Sequence, residues 1–194
     1  MKENKRKALV QLRRTKQRFA AYISQNYAHK ARDCRTCSEQ CCNDAEFVNV
    51  NITRLEAVAM LLTLLRSPRI GKEKYEQIIT RARSCVAKYQ LSKYGDTFSR
   101  TYACPLFEPK QGCLVHWKAK PAACIQHGCY EDWRDLPDEI EMRRVEAFVA
   151  RLNRAIYGET QWAPIPVWLT SIVDEFPEEL AEAPLYELSI PEAK

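Results

Sequence analysis

The sequence predicts a mainly α fold in which irregular cysteine-rich loops pack against a small helical bundle. Apolar residues recur at helical spacing along several long stretches. There is no internal repeat, low-complexity tract or Gly/Ser linker, and glycine occurs only five times. Eight of the nine cysteines fall in two tight groups, Cys34, Cys37, Cys41 and Cys42, then Cys104, Cys113, Cys124 and Cys129. At 194 residues, 46% of them hydrophobic, the chain fits a single domain spanning 1–194. A chain of this size buries roughly 70% of the surface its unfolded form exposes, so metal is not needed to rescue an undersized core.

Residues 3 to 29 predict a basic helix with Leu9, Leu12, Phe19 and Ile23 near one face. The cysteine-cluster core follows at 33–130. Its first loop, Asp33–Asp44, gives way to an extended stretch, Glu46–Ile52. Thr53 and Glu56 then have the T-x-x-E spacing of a capping box. The helix they open, through Arg66, is apolar nearly all round and belongs at the centre; Pro68 ends it. A further helix is expected over Lys72–Lys93, with Tyr75, Ile78, Ile79, Ala82, Val86 and Tyr89 on its stripe and Gly95 suited to its end. Cys85 shares that stripe and reads as core packing, since free cysteine is among the most buried residue types.

Ala103–Tyr130 has three prolines, two glycines and short apolar pieces, an irregular knot folded around something. From Pro137 a strong helix carries Val145, Phe148, Val149, Leu152 and Ile156 and stops at Gly158. The remainder of 137–194 reads as a short Pro-interrupted helix and an acidic tail.

The net charge of +5 is unevenly spread. Ten Lys or Arg against Glu3 and Asp33 fall in the first 33 residues, whereas Asp174, Glu175, Glu178, Glu179, Glu182, Glu187 and Glu192 face only Lys194 at the other end. The two ends are expected to neutralise each other or to be solvated faces. A basic end also suits nucleic acid or an acidic protein partner. The N-terminus lacks the apolar run and cleavage site of a signal peptide, and no stretch approaches a membrane span of ~18 residues, so no membrane partner is expected. The expectation is a cytoplasmic protein, where clustered thiols bind metal in preference to forming cystines. In a secreted chain, four disulfides and a spare thiol would be the competing account.

Thiolates are soft ligands that select zinc, copper(I) or iron–sulfur clusters. The first group is spaced C-x2-C-x3-C-C and the second C-x8-C-x10-C-x4-C. The doublet Cys41–Cys42 projects its side chains apart, which suits two metals or two irons of one cluster better than a single tetrahedral zinc. Cys104-Pro105 shares the Cys-Pro dipeptide of bacterial ferredoxin motifs. The loops look poor in the short hairpins and Gly-rich knuckles of zinc ribbons. The residues therefore favour an iron–sulfur cluster, 4Fe-4S first, with zinc as the alternative. Arg32, Arg35, Lys118 and Lys120 lie near enough in sequence to offset its charge. His116 and His127 sit inside the second group and read as outer-sphere donors or surface residues before ligands; His29 reads as bland.

Enzyme motifs are absent. The radical S-adenosylmethionine spacing C-x3-C-x2-C, G-x-G-x-x-G, the Walker loop and G-x-S-x-G do not occur. Glu131, Asp132, Asp135, Asp138, Glu139 and Glu141 cluster at a helix start, where acid suits the helix dipole.

A Cys-Cys doublet closing a short loop, then Cys-Pro-Leu-Phe (Cys104–Phe107), then Cys-Leu-Val-His (Cys113–His116) before Lys-Pro-Ala-Ala-Cys (Lys120–Cys124), resembles the YkgJ-like cysteine-cluster family. That family's motifs run approximately CxxCxxCC, CPFL and CxIYExRPxxC. The family is described as a zinc- or iron-chelating domain, and some larger members are flagellin lysine methylases. The resemblance covers Cys34–Cys129, and implies metal ligation by Cys34, Cys37, Cys41, Cys42, Cys104, Cys113 and Cys124. It departs by one extra residue before Cys41, His116 in place of Tyr, Lys120 in place of Arg and one added residue before Cys124. Losing the arginine loses bidentate geometry. A methyltransferase or oxidoreductase activity follows from this analogy alone. The expected function is a metal-binding protein with a redox or accessory role; the alternative is a structural zinc protein that uses its basic N-terminal helix on nucleic acid or a protein partner.

Overall fold

In the computed structural model, which describes residues 2–27, 29, 42, 48–115, 118–127, 130 and 132–181, helix accounts for 62% and strand for 6% of the described residues. The fold is mainly α, as the periodicity predicts. Most of the first cysteine loop, His116, Cys129, Glu131 and the tail beyond 181 lie outside the described residues.

Helix α1 spans Lys2–Tyr27 and buries Ala8, Leu9, Leu12, Phe19 and Ile23, the stripe expected of it. The same seam has Lys16 between Leu12 and Phe19, and that lysine is only 4% exposed. Thr53 and Glu56 form the expected capping box, and the helix it opens, α2, runs Arg54–Leu65. Glu56 Oε2 accepts from the Thr53 backbone N–H at 2.9 Å and from its hydroxyl at 3.1 Å. Its other oxygen meets Lys16 Nζ at 2.7 Å. One carboxylate thus caps α2 and neutralises the polar gap in the α1 seam. Buried at Leu55, Ala57, Val58, Met60, Leu61, Leu62 and Leu64, α2 packs against α1 and against three of the four helices that follow.

Helix α3 spans Lys72–Lys88, five residues shorter than expected. Its stop is made by Gln90, not Gly95. Gln90 adopts a left-handed φ of +51°, and the Leu91 N–H reaches back to the Val86 carbonyl at 3.0 Å. Leu91 is buried beside that turn, so an apolar contact holds a residue other than glycine in the glycine conformation. Gly95, also left-handed, bends the following loop.

A short helix, α4 (Ala122–Gln126), sits between α1 and helix α5 (Glu139–Tyr157). Asp138 caps α5 by accepting from the Ile140 N–H at 2.8 Å, and left-handed Gly158 ends it as expected. Asn153 of α5 is buried; its carbonyl oxygen accepts from the Leu55 N–H at 2.9 Å, satisfying an orphan donor of α2. The last helix, α6 (Ile165–Glu175), opens with a proline in its first turn and buries Val167, Trp168, Leu169 and Ile172 against α2 and α3.

Among the described residues one contact joins the basic first helix to the acidic end, through the buried carboxylate of Glu179. Glu179 pairs with Lys5 of α1 and, at 2.8 Å, with Arg54. The Arg54 guanidinium lies 3.7 Å from the Phe176 ring centre and 4.5 Å from that of Tyr157. Asp174 and Glu175 pair with Arg83 and Lys93. Among the described residues no helix is long and apolar enough to cross a membrane.

Candidate metal centre

Two antiparallel backbone pairings set the geometry of the cysteine region. Strand β1 (Asn51–Ile52), at the exit of the first loop, pairs with β4 (Ala163–Pro164), just before α6. Residues 97–104, entering the second cysteine region, run antiparallel to the chain leaving the first. The Tyr102 N–H donates to the Val48 carbonyl at 2.8 Å and the Cys104 N–H to the Cys42 carbonyl at 2.7 Å. Asn49 and Asn51 add side-chain bonds to the Phe98 and Thr97 carbonyls. Tyr102, wholly buried, locks this seam: its hydroxyl donates to the Val50 carbonyl and accepts from the Ile165 N–H at 3.2 Å. Cys42 of the early group is therefore held backbone to backbone against Cys104 of the later one.

The second group is built from three local structures. Cys104-Pro105-Leu106-Phe107 forms a turn closed by the Phe107 N–H on the Cys104 carbonyl at 3.3 Å, with proline at the second position, where its fixed φ suits a turn. Strands β2 (Phe107–Glu108) and β3 (Gly112–Cys113) then form a hairpin that sets Cys113 opposite Phe107. Lys110 and Gly112 take the left-handed conformations its tight loop needs. Cys124 lies on α4. The knot expected here is thus partly regular. The expectation that the region lacks short hairpins is overturned: Cys113 sits on one, beside a left-handed glycine.

Burial pushes the Cys104 thiol far above its usual range, and the nearby thiols of Cys113 and Cys124 push it further. The Leu106 amide, hydrogen-bonded to the Cys104 sulfur, pulls in the opposite direction. A like-charge group of thiolates is unfavourable in a low-dielectric site, and a bound metal cation would remove that penalty. Amide N–H bonds to sulfur are the outer-sphere contacts that steady a thiolate ligand. Cys104, Cys113 and Cys124 therefore fit a thiophilic metal chemically. Among the described residues, no three His, Cys, Asp or Glu side chains are grouped so as to hold a metal ion. Cys34, Cys37, Cys41 and Cys129, half of the expected ligand set, lie outside the described residues.

Two neighbours were not singled out from the sequence as part of this region. Cys85 packs in the core as expected, but its thiol also donates to the Ala103 carbonyl at 3.3 Å, and burial raises its pKa to about 11. Tyr102 is raised well above the usual phenol range, by burial first and by Cys104, Cys124 and Cys85 after it. An aromatic two residues before Cys-Pro was the available signal. His127 ends α4 and is exposed, in keeping with a surface role.

The basic N-terminal helix is not a uniform cationic face. Lys16 is buried on Glu56, Lys5 is taken by Glu179 and Lys7 pairs with Glu3 at 2.9 Å. Of the cations midway along α1, Arg14 and Arg18 are exposed, Arg13 is half-buried and Lys16 is inaccessible.

No protein-family model, curated protein or solved structure matches this chain. The class that fold and site define is a mainly α chain carrying a cysteine-rich frame.

Proposed function

We propose that this chain is a cytoplasmic metal-binding protein whose two cysteine groups hold an iron–sulfur cluster, in a redox or accessory role. The observation that carries the reading is the bond from the Cys104 N–H to the Cys42 carbonyl, which sets the end of one cysteine group against the start of the other. The thiols of Cys113 and Cys124 near Cys104 and the amide on its sulfur support it. The cysteine motifs' resemblance to the YkgJ-like family points the same way. Cys34, Cys37, Cys41, Cys42, Cys104, Cys113, Cys124 and Cys129 would supply the ligands. A bound cluster supplies one-electron transfer or a rigid cross-link. The protein's own part is to hold Cys104, half-buried, and to orient its thiolate.

Zinc is the second reading, and the β2–β3 hairpin favours it, since a cysteine on a tight hairpin beside glycine is a common zinc-binding element. Anaerobic purification with iron, sulfide and zinc analysis and a visible spectrum separates the two. Iron with equimolar sulfide and a brown colour bleached by dithionite is expected. A colourless protein with stoichiometric zinc refutes the iron reading, and a protein with neither metal refutes both. A nucleic-acid role for α1 is weakened by the burial of Lys16.

A further inference from the structure

A second site lies where the chain leaves α3. A cavity of about 250 Å³ opens between the loop at 90–100 and Pro164 of β4. That is below the range for drug-sized ligands and suits one small ring. The loop is held in place by its own bonds. The Ser99 N–H donates to Asp96 Oδ1 at 3.2 Å, and the Ser99 hydroxyl to the Asp96 carbonyl at 3.1 Å. The Thr97 N–H donates to the Gly95 carbonyl at 3.0 Å, and the Asn49 side chain to the Phe98 carbonyl at 3.3 Å. The Tyr94 N–H is tied to the Ser92 hydroxyl at 3.1 Å. Yet the Tyr94 side chain, which lines the cavity, is 77% exposed, more than any other large hydrophobic among the described residues. Folding fixes the loop and leaves that ring unburied.

The lining decides what the cavity takes. Asp96 and Arg100 bring opposite charges to it; both are exposed, and neither forms an ion pair among the described residues. Gln90, Ser92 and Ser99 add an amide and two hydroxyls, and Pro164 is the one aliphatic side chain. An apolar molecule finds too little wall here. An anion such as phosphate meets the Asp96 carboxylate as well as the Arg100 guanidinium. A zwitterion matches the two charges but leaves the amide, the hydroxyls and the Tyr94 ring unused. A neutral sugar ring answers every part. Each of its hydroxyls both donates and accepts, so one edge serves Asp96 and Arg100 together. Hydrogen bonds to such charged groups are the stronger ones. Its C–H bonds form a weakly positive face, which suits the negative face of an aromatic ring. A loop that is already ordered also lowers the cost of binding. We propose that this cavity binds one sugar ring, either a free hexose or the end unit of a glycan.

The proposal is independent of the metal reading, because no cysteine lines the cavity among the described residues. The test is saturation-transfer NMR and titration of the full chain as purified. The probes are glucose, galactose, mannose, maltose and lactose, with glycine and inorganic phosphate beside them. Saturable binding of at least one sugar, with Kd on the order of 1 mM and saturation reaching its ring C–H protons, is the expected result. Tighter binding of a disaccharide than of its hexoses assigns the site to a glycan end; equal or weaker binding assigns it to the free hexose. Tyr94→Ala should weaken binding several-fold and remove the saturation of the C–H protons. Asp96→Asn, which keeps an oxygen for the Ser99 N–H, and Arg100→Gln should each weaken it several-fold. All three side chains are exposed, so far-UV circular dichroism should show the variants folded. No saturable binding of any sugar probe overturns the proposal. So does unchanged affinity in folded Tyr94→Ala and Asp96→Asn, or binding of glycine or phosphate that is tighter than that of every sugar.

Discussion

Lys16→Met tests whether the α1 seam is closed by a buried ion pair. The Lys16 and Glu56 side chains are 5% and 3% exposed and 2.7 Å apart. Surface pairs contribute at most about 1 kcal/mol, but removing one partner of a buried pair costs roughly 3–5 kcal/mol, because the other charge is stranded. Methionine fills the lysine stem's volume, so little of the loss would be cavity. Glu56 keeps its bonds from Thr53, which places the expected cost near the lower end, about 3 kcal/mol. That is a large share of the roughly 5–15 kcal/mol that stabilises an ordinary domain. At about 2–4 °C per kcal/mol for a chain of this size, Tm should fall by roughly 6–12 °C.

The assay is urea denaturation of wild type, Lys16→Met, Glu56→Gln and the double variant at pH 7, on metal-loaded protein. The double variant should cost clearly less than the sum of the singles, with a coupling of roughly 2–3 kcal/mol. A Lys16→Met cost below about 1 kcal/mol, the range of exposed pairs, would refute the argument. It would also free Lys16 for solvent and restore the cationic face that a nucleic-acid ligand needs.

Five thiol and tyrosine variants separate positioning from ligation around Cys104. Cys104→Ala should lose bound metal outright, as should Cys113→Ala and Cys124→Ala, whereas Cys85→Ala should keep it; elemental analysis after gel filtration reads the difference, and full loss in Cys85→Ala would make that thiol a ligand. Tyr102→Phe leaves the Val50 carbonyl and the Ile165 N–H without their shared hydroxyl, so it should cost about 1–3 kcal/mol in denaturant melts and speed metal loss to a chelator; wild-type stability would remove Tyr102 from the seam. Glu146 is raised above the usual carboxylate range, chiefly by burial and then by Glu56 and Glu139. A folded pKa above the unfolded one means ionisation disfavours the fold: the penalty is absent below the ordinary carboxylate pKa and grows as pH rises through the folded value. Glu146→Gln should therefore raise stability at pH 7, by under about 1 kcal/mol given its partial exposure, and make no difference near pH 4. A gain that persists unchanged at pH 4 would contradict this.

Much of this architecture can be read from local signals, because each needs only neighbours in sequence. The Thr53–Glu56 cap, the all-round apolar α2 and the Gly158 stop depend on residues within one turn of each other. What escapes the sequence depends on residues far apart. Lys16 stands on an apolar seam, and its partner is 40 positions away in a cap that already explains the glutamate. Gln90 replaces glycine at a helix end because Leu91 is buried, a tertiary fact that overrides a local preference. The type and spacing of the cysteines suggest a soft-metal site. That Cys42 lies against Cys104 does not follow from spacing; it follows from the bonds that tie 97–104 to Val48, Asn49 and Asn51, with Tyr102 joined to Val50 and to the start of α6.

The same placement bears on what metal removal does to the chain. Small zinc domains unfold without metal because the ion replaces a core they lack. Here the buried apolar cluster draws on α1, α2, α3, α5 and α6, and the seam between the two cysteine groups is closed by backbone hydrogen bonds and Tyr102. Metal is therefore expected to order the cysteine groups and leave the helical bundle standing. Chelation under reducing conditions should leave the far-UV helical signal nearly intact, lower Tm, and open new protease cuts beside Cys104, Cys113 and Cys124 while sparing α2 and α6. A cooperative loss of helix on chelation would mean that the cysteine frame, and not the α2 core, holds the fold together.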